Sequence, residues 1–222
     1  MTGHEQVEDL VIPGGTTLWQ GEIVDEPSSL PVGAREVPFR GKVWDVHRDT
    51  VGLGAAGEVV RDYITHPGAV GILALDERER VLLVRQYRHP VGAFLFEPPA
   101  GLRDMDGETL LEVGRRELYE ETGYEADDWC TLVDVRMSPG ASAERLRMLL
   151  ARGVRPIAAG RPEDLHGEEV GMPIAWVPLA EIVGKILAGD LHSPTLVHGA
   201  LAAWAARADG YASLRPADAP ER

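Results

Sequence analysis

The chain has 222 residues, 22 basic against 36 acidic, for a formal net charge of −14, and is 44% hydrophobic and 26% charged. That is ordinary for a soluble globular protein with enough chain to bury a core, as one domain or a domain plus an extension. The acidic balance argues against non-specific binding to a nucleic acid backbone, and the single Cys130 excludes an intrachain disulfide, a thiolate zinc cluster and an iron–sulfur site.

No basic and apolar leader is evident and no apolar run approaches about 18 residues, so a cytosolic protein is expected. Residues 1–15 are polar, acidic and rich in glycine at their end, which predicts loose order. Residues 17–24, 34–37 and 41–48 have strand-like composition, separated by Pro31 and Gly33; residues 52–57 read as a turn and 58–65 as a further strand. This first third is too small for a good core, so it covers the rest of its own chain or pairs with a second copy. Residues 69–75 form a strongly apolar strand, and a charged turn at 76–80 leads to 81–84 as the expected hairpin partner. A short strand at 94–97 follows, with Phe94 and Phe96 expected in the core. Strands are also expected at 129–135, 146–151 and 174–177, and helices from Pro178 to about Leu187 and from Pro194 to about Ala208. Beyond Ser213 the prolines and charges predict a mobile tail.

The chemistry concentrates in residues 101–124, GLRDMDGETLLEVGRRELYEETGY. Residues 108–122 suit a helix in which Leu111 and Leu118 share the buried face and Gly123 ends the last turn. Glu117 and Glu121 are four apart with Glu120 beside them, so their carboxylates project to one side with Cβ atoms about 5–6 Å apart. Such a cluster repels itself unless solvent, an arginine or a cation compensates it, and hard oxygen donors suit Mg²⁺ or Mn²⁺. Arg116 is one guanidinium against three acids.

This stretch resembles the Nudix box, the signature of hydrolases acting on a nucleoside diphosphate linked to another group. Gly101 opens it, Glu108 follows after six residues where the pattern has five, and Arg116, Glu117, Leu118, Glu120, Glu121, Gly123 and Tyr124 complete it. The extra residue falls in the loop before the helix and leaves the helix register intact. More narrowly, the chain resembles the ADP-ribose pyrophosphatase branch. Arg85-Gln86-Tyr87-Arg88 precedes the box, Glu97-Pro98-Pro99-Ala100-Gly101 enters it, and Pro139 lies 16 residues after Gly123, where that branch carries a marker proline.

The resemblance implies an α/β fold, the Nudix α/β/α sandwich with mixed β-sheets, plus an N-terminal β region exchanged across a homodimer. The expected division is an exchange region at 1–64, a hydrolase domain at 65–208 and a tail at 209–222. The implied reaction is divalent-metal-dependent hydrolysis of ADP-ribose to AMP and ribose 5-phosphate, with two or three Mg²⁺ or Mn²⁺ ions per site. Glu117, Glu121 and the Ala100 carbonyl are the implied ligands, and Glu120 binds directly or through water. Glu108 would be a structural acid holding the loop or Arg116. From the loop at 161–171, Glu169 would act as base or ligand, with Glu168 its neighbouring rival and His166 a further candidate base. Arg88 would clamp phosphate or ribose oxygens or form a structural ion pair. Arg61 could reach across a dimer, and Glu144 could accept from ribose hydroxyls or assist the metal. Trp44 and Tyr87 could stack on adenine or pack internally, while Pro139 would stiffen its loop. Rival readings are another nucleoside diphosphate sugar, a dinucleoside polyphosphate or NADH as substrate, and a nucleotide-binding module without catalysis. Neither a nucleic acid polymer nor a membrane is an expected partner.

Overall fold

A computed structural model describes residues 18–162 and 171–221 of the chain. The stretch expected to be loose at 1–15 lies outside the described residues. Three strands come first, β1 (Val32–Arg40), β2 (Asp45–Gly52) and β3 (Glu58–Ile64), in an antiparallel sheet of their own. Gly33, expected to break a strand, lies inside β1 because a register shift between Val32 and Ala34 absorbs it. The strand expected at 17–24 does not form over residues 18–24. β2 starts at Asp45 rather than residue 41, since the Gly41 amide donates to the Trp44 carbonyl and closes a turn there. Of residues 32–64 only Asp49 is buried, so this sheet has no apolar core of its own. Cross-strand ion pairs clasp it: Arg35 grips Asp49 at 2.7 and 2.8 Å, and Arg48 grips Asp62 at 2.7 and 2.8 Å.

The remainder runs β4 (Ala69–Ala74), β5 (Arg80–Arg88), β6 (Ala93–Glu97), β7 (Ala100–Leu102), α1 (Leu110–Thr122), β8 (Tyr124–Glu125), β9 (Asp128–Arg136), β10 (Arg145–Arg152), β11 (Arg155–Pro156), β12 (Ile174–Pro178), α2 (Leu179–Ala188), α3 (Pro194–Ala206) and β13 (Arg215–Pro216). The central sheet has the order β13-β9-β10-β4-β7, with β10 and β4 parallel and the other pairs antiparallel. β4 is covered on both faces, which is why its sequence is continuously apolar rather than alternating. Val70 and Ile72 pack with Val113 and Leu118 of α1, whereas Leu73 packs with Leu179 and Ile182 of α2 and Leu196 of α3. The result is an α/β/α sandwich with α1 on one side and α2 and α3 on the other.

A second sheet, β12-β5-β6, is antiparallel. The hairpin expected between β4 and β5 is therefore corrected: the two touch at one bridge, Leu75 to Val81, and part into different sheets. Both edges of β4 are taken by β10 and β7, so β5 finds its partners elsewhere. Phe94 and Phe96, expected in the core, are 58% and 37% exposed. The tail expected to be mobile is also corrected, because β13 pairs with β9 and Ala217 is buried against the α1 side of the sheet.

Candidate active site

The site is built where β7 meets α1. The helix begins at Leu110, not at Glu108, because Thr109 caps it: its hydroxyl accepts from the Glu112 amide while the Glu112 carboxylate accepts from the Thr109 amide at 2.8 Å. This is a capping box, which satisfies two amides that the first turn leaves unpaired. At the other end Gly123 takes φ +74° and donates to the Tyr119 carbonyl at 2.7 Å. Val113 and Leu118 fix the rotation of the helix by facing the core. The same rotation turns Glu117, Glu120 and Glu121 toward one cavity of about 410 Å³, lined also by Gln86, Arg88, Ala100, Gly101, Leu102, Asp104 and Arg116.

Glu117 and Glu121 are buried, only 8% and 6% exposed, whereas the Glu120 side chain is 37% exposed. Glu121 accepts from the Ala100 amide at 3.0 Å, which ties the helix to β7. Gly101 lies so close to α1 that a Cβ there would fall 1.8 Å from Glu117 Oε1. Glycine at this position is thus a requirement of backbone approach to a carboxylate. Arg116 sits among the acids, bonding both oxygens of Glu108 at 3.0 and 3.1 Å, Glu117 at 2.6 Å and Glu120 at 3.1 Å. The hydrogen bonds to Glu108, assisted by the charge of Glu117, hold its guanidinium above the ordinary arginine value against its partial burial.

Arg88, read as a phosphate clamp or a structural partner, holds Glu97 through two bonds at 2.9 and 2.8 Å on the cavity's edge. Glu97 is 5% exposed; the sequence places it at the entry to the box but assigns it no role. Gln86 and Asp104 also line the cavity without having been expected there. Arg161 donates to the Glu120 carbonyl and to the Met172 carbonyl, so one side chain joins α1 to both flanks of the acidic loop. Glu168, Glu169 and His166 lie outside the described residues.

Other expected residues are placed elsewhere. Arg61 is exposed on β3 with its guanidinium on the Val60 carbonyl, and Trp44 packs against Phe39 at a ring separation of 6.0 Å in the β1–β2 connection. Tyr87 packs against Phe94 at 5.3 Å on the β5–β6 face. Glu144 is half-buried at the end of the 138–144 loop, which is fastened to β3 by hydrogen bonds between Ile64 and both Ala141 and Ala143. Pro139 is exposed and borders a separate cavity of about 1010 Å³ between β9 and residues 24–27.

Among the described residues no three acids converge as a ready cation cage. Arg116 draws Glu117 and Glu120, and the Ala100 amide draws Glu121. The donor chemistry nevertheless suits a hard divalent cation: carboxylates, two of them buried, with Glu108, Glu117 and Glu120 sharing the single Arg116 guanidinium and Glu121 beside them.

A sandwich that turns a carboxylate-bearing helix toward a polar cavity beside arginine is the arrangement of an enzyme that handles anionic, phosphate-bearing substrates. The chain belongs to the Nudix family: residues 65–197 match the NUDIX domain. It is 40% identical over 183 residues to an ADP-ribose pyrophosphatase of Mycobacterium tuberculosis, covering 82% of this chain and 86% of that one. An ADP-ribose pyrophosphatase of Bacillus subtilis is 34% identical over 131 residues, 59% of this chain and 70% of the relative. The fold is shared with a crystal structure of an ADP compounds hydrolase at TM-score 0.69 and 19% identity, covering 84% of this chain and 99% of that one.

Proposed function

We propose that the protein hydrolyses ADP-ribose to AMP and ribose 5-phosphate, acting in the cytosol as a homodimer. The observation that carries this reading is the meeting of Glu117, Glu120, Glu121 and Ala100 with Arg88 around one cavity. The extensive likeness to a relative named for ADP-ribose supplies the substrate. Glu117, Glu121 and the Ala100 carbonyl would hold Mg²⁺ or Mn²⁺, with Glu120 direct or through water, and two or three ions per site. When bound, such ions polarise phosphoryl oxygens and lower the pKa of water.

The chain's own residues do the rest. Glu108 braces Arg116, so the guanidinium offsets part of the helix charge and orients Glu117 and Glu120. The Ala100 amide fixes one oxygen of Glu121 and so ties that carboxylate to β7. Arg88, held by Glu97, presents its guanidinium at the cavity edge toward diphosphate or ribose oxygens. Glu169, or Glu168 beside it, takes the proton from the attacking water or joins the ligands, and no covalent enzyme intermediate is needed.

The sheet of β1–β3 supports the dimer reading, since it buries only Asp49 and exposes Phe39, Trp44 and Val60. Residues 1–64 would exchange across a homodimer, bringing Arg61 and Trp44 to the partner's substrate. Glu144 and Tyr87 would meet the ribose and the base on the same subunit. The test is incubation with a panel of nucleoside diphosphate derivatives, with and without Mg²⁺ or Mn²⁺, and separation of the products. Cation-dependent release of AMP and ribose 5-phosphate, fastest from ADP-ribose, is expected. Preference for another diphosphate, or binding without turnover, would overturn the reading.

A further inference from the structure

Arg147 is 1% exposed on β10, the strand between β9 and β4, and it faces the α1 side of the sheet with Leu149 and Ala151. A charge at such a place is costly unless every donor is used. Here it bonds Asp134 of β9 at 2.7 and 2.9 Å and donates a third hydrogen bond to the Ala219 carbonyl. Arg215 puts a second guanidinium on Asp134 at 2.8 Å. Burial works to raise the Asp134 carboxyl, and the hydrogen bonds from Arg147 and Arg215 outweigh it, holding the group below the ordinary carboxylate value.

Residues 215–216 pair along the edge of the sheet, and 217–221 then pass from β9 over β10 toward β7. Arg215 and Pro216 pair with Thr131 and Cys130 of β9, and the Thr131 hydroxyl donates to the Pro216 carbonyl. Ala217 enters the core that α1 also covers, and Ala219 meets Arg147 of β10. Glu221 then reaches Arg103, just beyond β7, at 3.0 Å, with side chains 25% and 31% exposed. Arg103 is held on its other side by its own amide, which donates to the Gly68 carbonyl.

Arg103 opens the loop at 103–109, and several residues of that loop and its entry bear on the site. Gly101, two residues earlier, abuts Glu117; Asp104 lines the cavity; Glu108 braces Arg116; Thr109 caps α1. This is also the loop with one residue more than the Nudix pattern. A longer loop has more conformations to exclude, and an external anchor restricts them.

We propose that residues 215–221 are a strap that positions the loop entering the catalytic helix, with Arg103 and Glu221 as its positioning residues. The kinetic part of this inference rests on the hydrolase reading above; the structural part does not. The test compares Glu221→Ala, Arg103→Met and the reversed pair Arg103→Glu with Glu221→Arg in the full chain. Amide hydrogen exchange is followed across 103–109, together with kcat and KM on whichever diphosphate the unaltered protein cleaves. Each single variant is expected to speed exchange in the loop by about threefold to fivefold, as suits loss of one partly exposed ion pair. kcat should fall by about threefold or more while KM stays within about twofold, because misplaced groups slow chemistry more than binding. The reversed pair should recover most of both. Exchange and kcat unchanged in the single variants, or a reversed pair no better than either, would overturn the strap. A protein that cleaves no diphosphate would defeat the proposed function instead, and loop exchange would still decide the strap.

Discussion

Replacing Gly101 by alanine isolates the close approach of β7 to α1. The added Cβ would stand 1.8 Å from Glu117 Oε1, 1.9 Å from Cδ and 2.4 Å from Cγ, so the whole carboxylate must swing away by roughly 1 Å or more to restore ordinary contact. Glu117 can do this by leaving Arg116, whose bond to it is 2.6 Å, and rotating toward the cavity. The fold should tolerate that movement, with a stability loss within about 1 kcal/mol, because a side chain and not the backbone gives way. Catalysis should not, since a displacement of about 1 Å in a reacting group costs on the order of a hundredfold, or about 2.7 kcal/mol in the barrier. Steady-state cleavage of ADP-ribose at saturating Mg²⁺, with urea denaturation of the same preparation, measures both. A Gly101→Ala protein within threefold of the unaltered rate would refute the reasoning, as would one that fails to fold.

Two further outcomes concern stability. Thr109→Ala removes the cap of α1 and should cost about 1 kcal/mol in urea denaturation, with Thr109→Ser recovering most of it; no loss would mean the capping box contributes nothing. The carboxyl of Asp134 is held below its unfolded value, so its contribution is fully present above about pH 3.9 and lost as pH falls through the lower folded value. The urea midpoint of Asp134→Asn should accordingly fall less steeply below about pH 4 than that of the unaltered protein, and superimposable pH slopes there would contradict that assignment.

The parts of the site legible in the sequence were local. Glu117, Glu120 and Glu121 share a face because helical spacing dictates it, and Gly123 ends the helix because only a left-handed residue suits that turn. The helix start was equally local but obscured, since the capping box of Thr109 and Glu112 starts the helix at Leu110, two residues after Glu108. What stayed hidden depends on distant segments. Residues 69–75 and 81–84 look like a hairpin until β10, far along the chain, takes the edge of β4. Glu97 becomes the partner of Arg88 only when β5 and β6 pair, and Phe94 and Phe96 look like core until that sheet leaves one face open. The tail is polar in composition, yet Arg147 and Asp134 make its docking a matter of charge rather than apolar periodicity.

The most direct measurement is cation-dependent cleavage of ADP-ribose by Glu117→Gln and Glu121→Gln, each checked for native folding by denaturation. Removing a carboxylate that holds a divalent ion forfeits several kcal/mol of transition-state stabilisation, so each variant should lose about a hundredfold or more in kcat/KM and need more Mg²⁺ or Mn²⁺ for its residual rate. Folded variants that cleave at the unaltered rate with the same cation requirement would contradict the account.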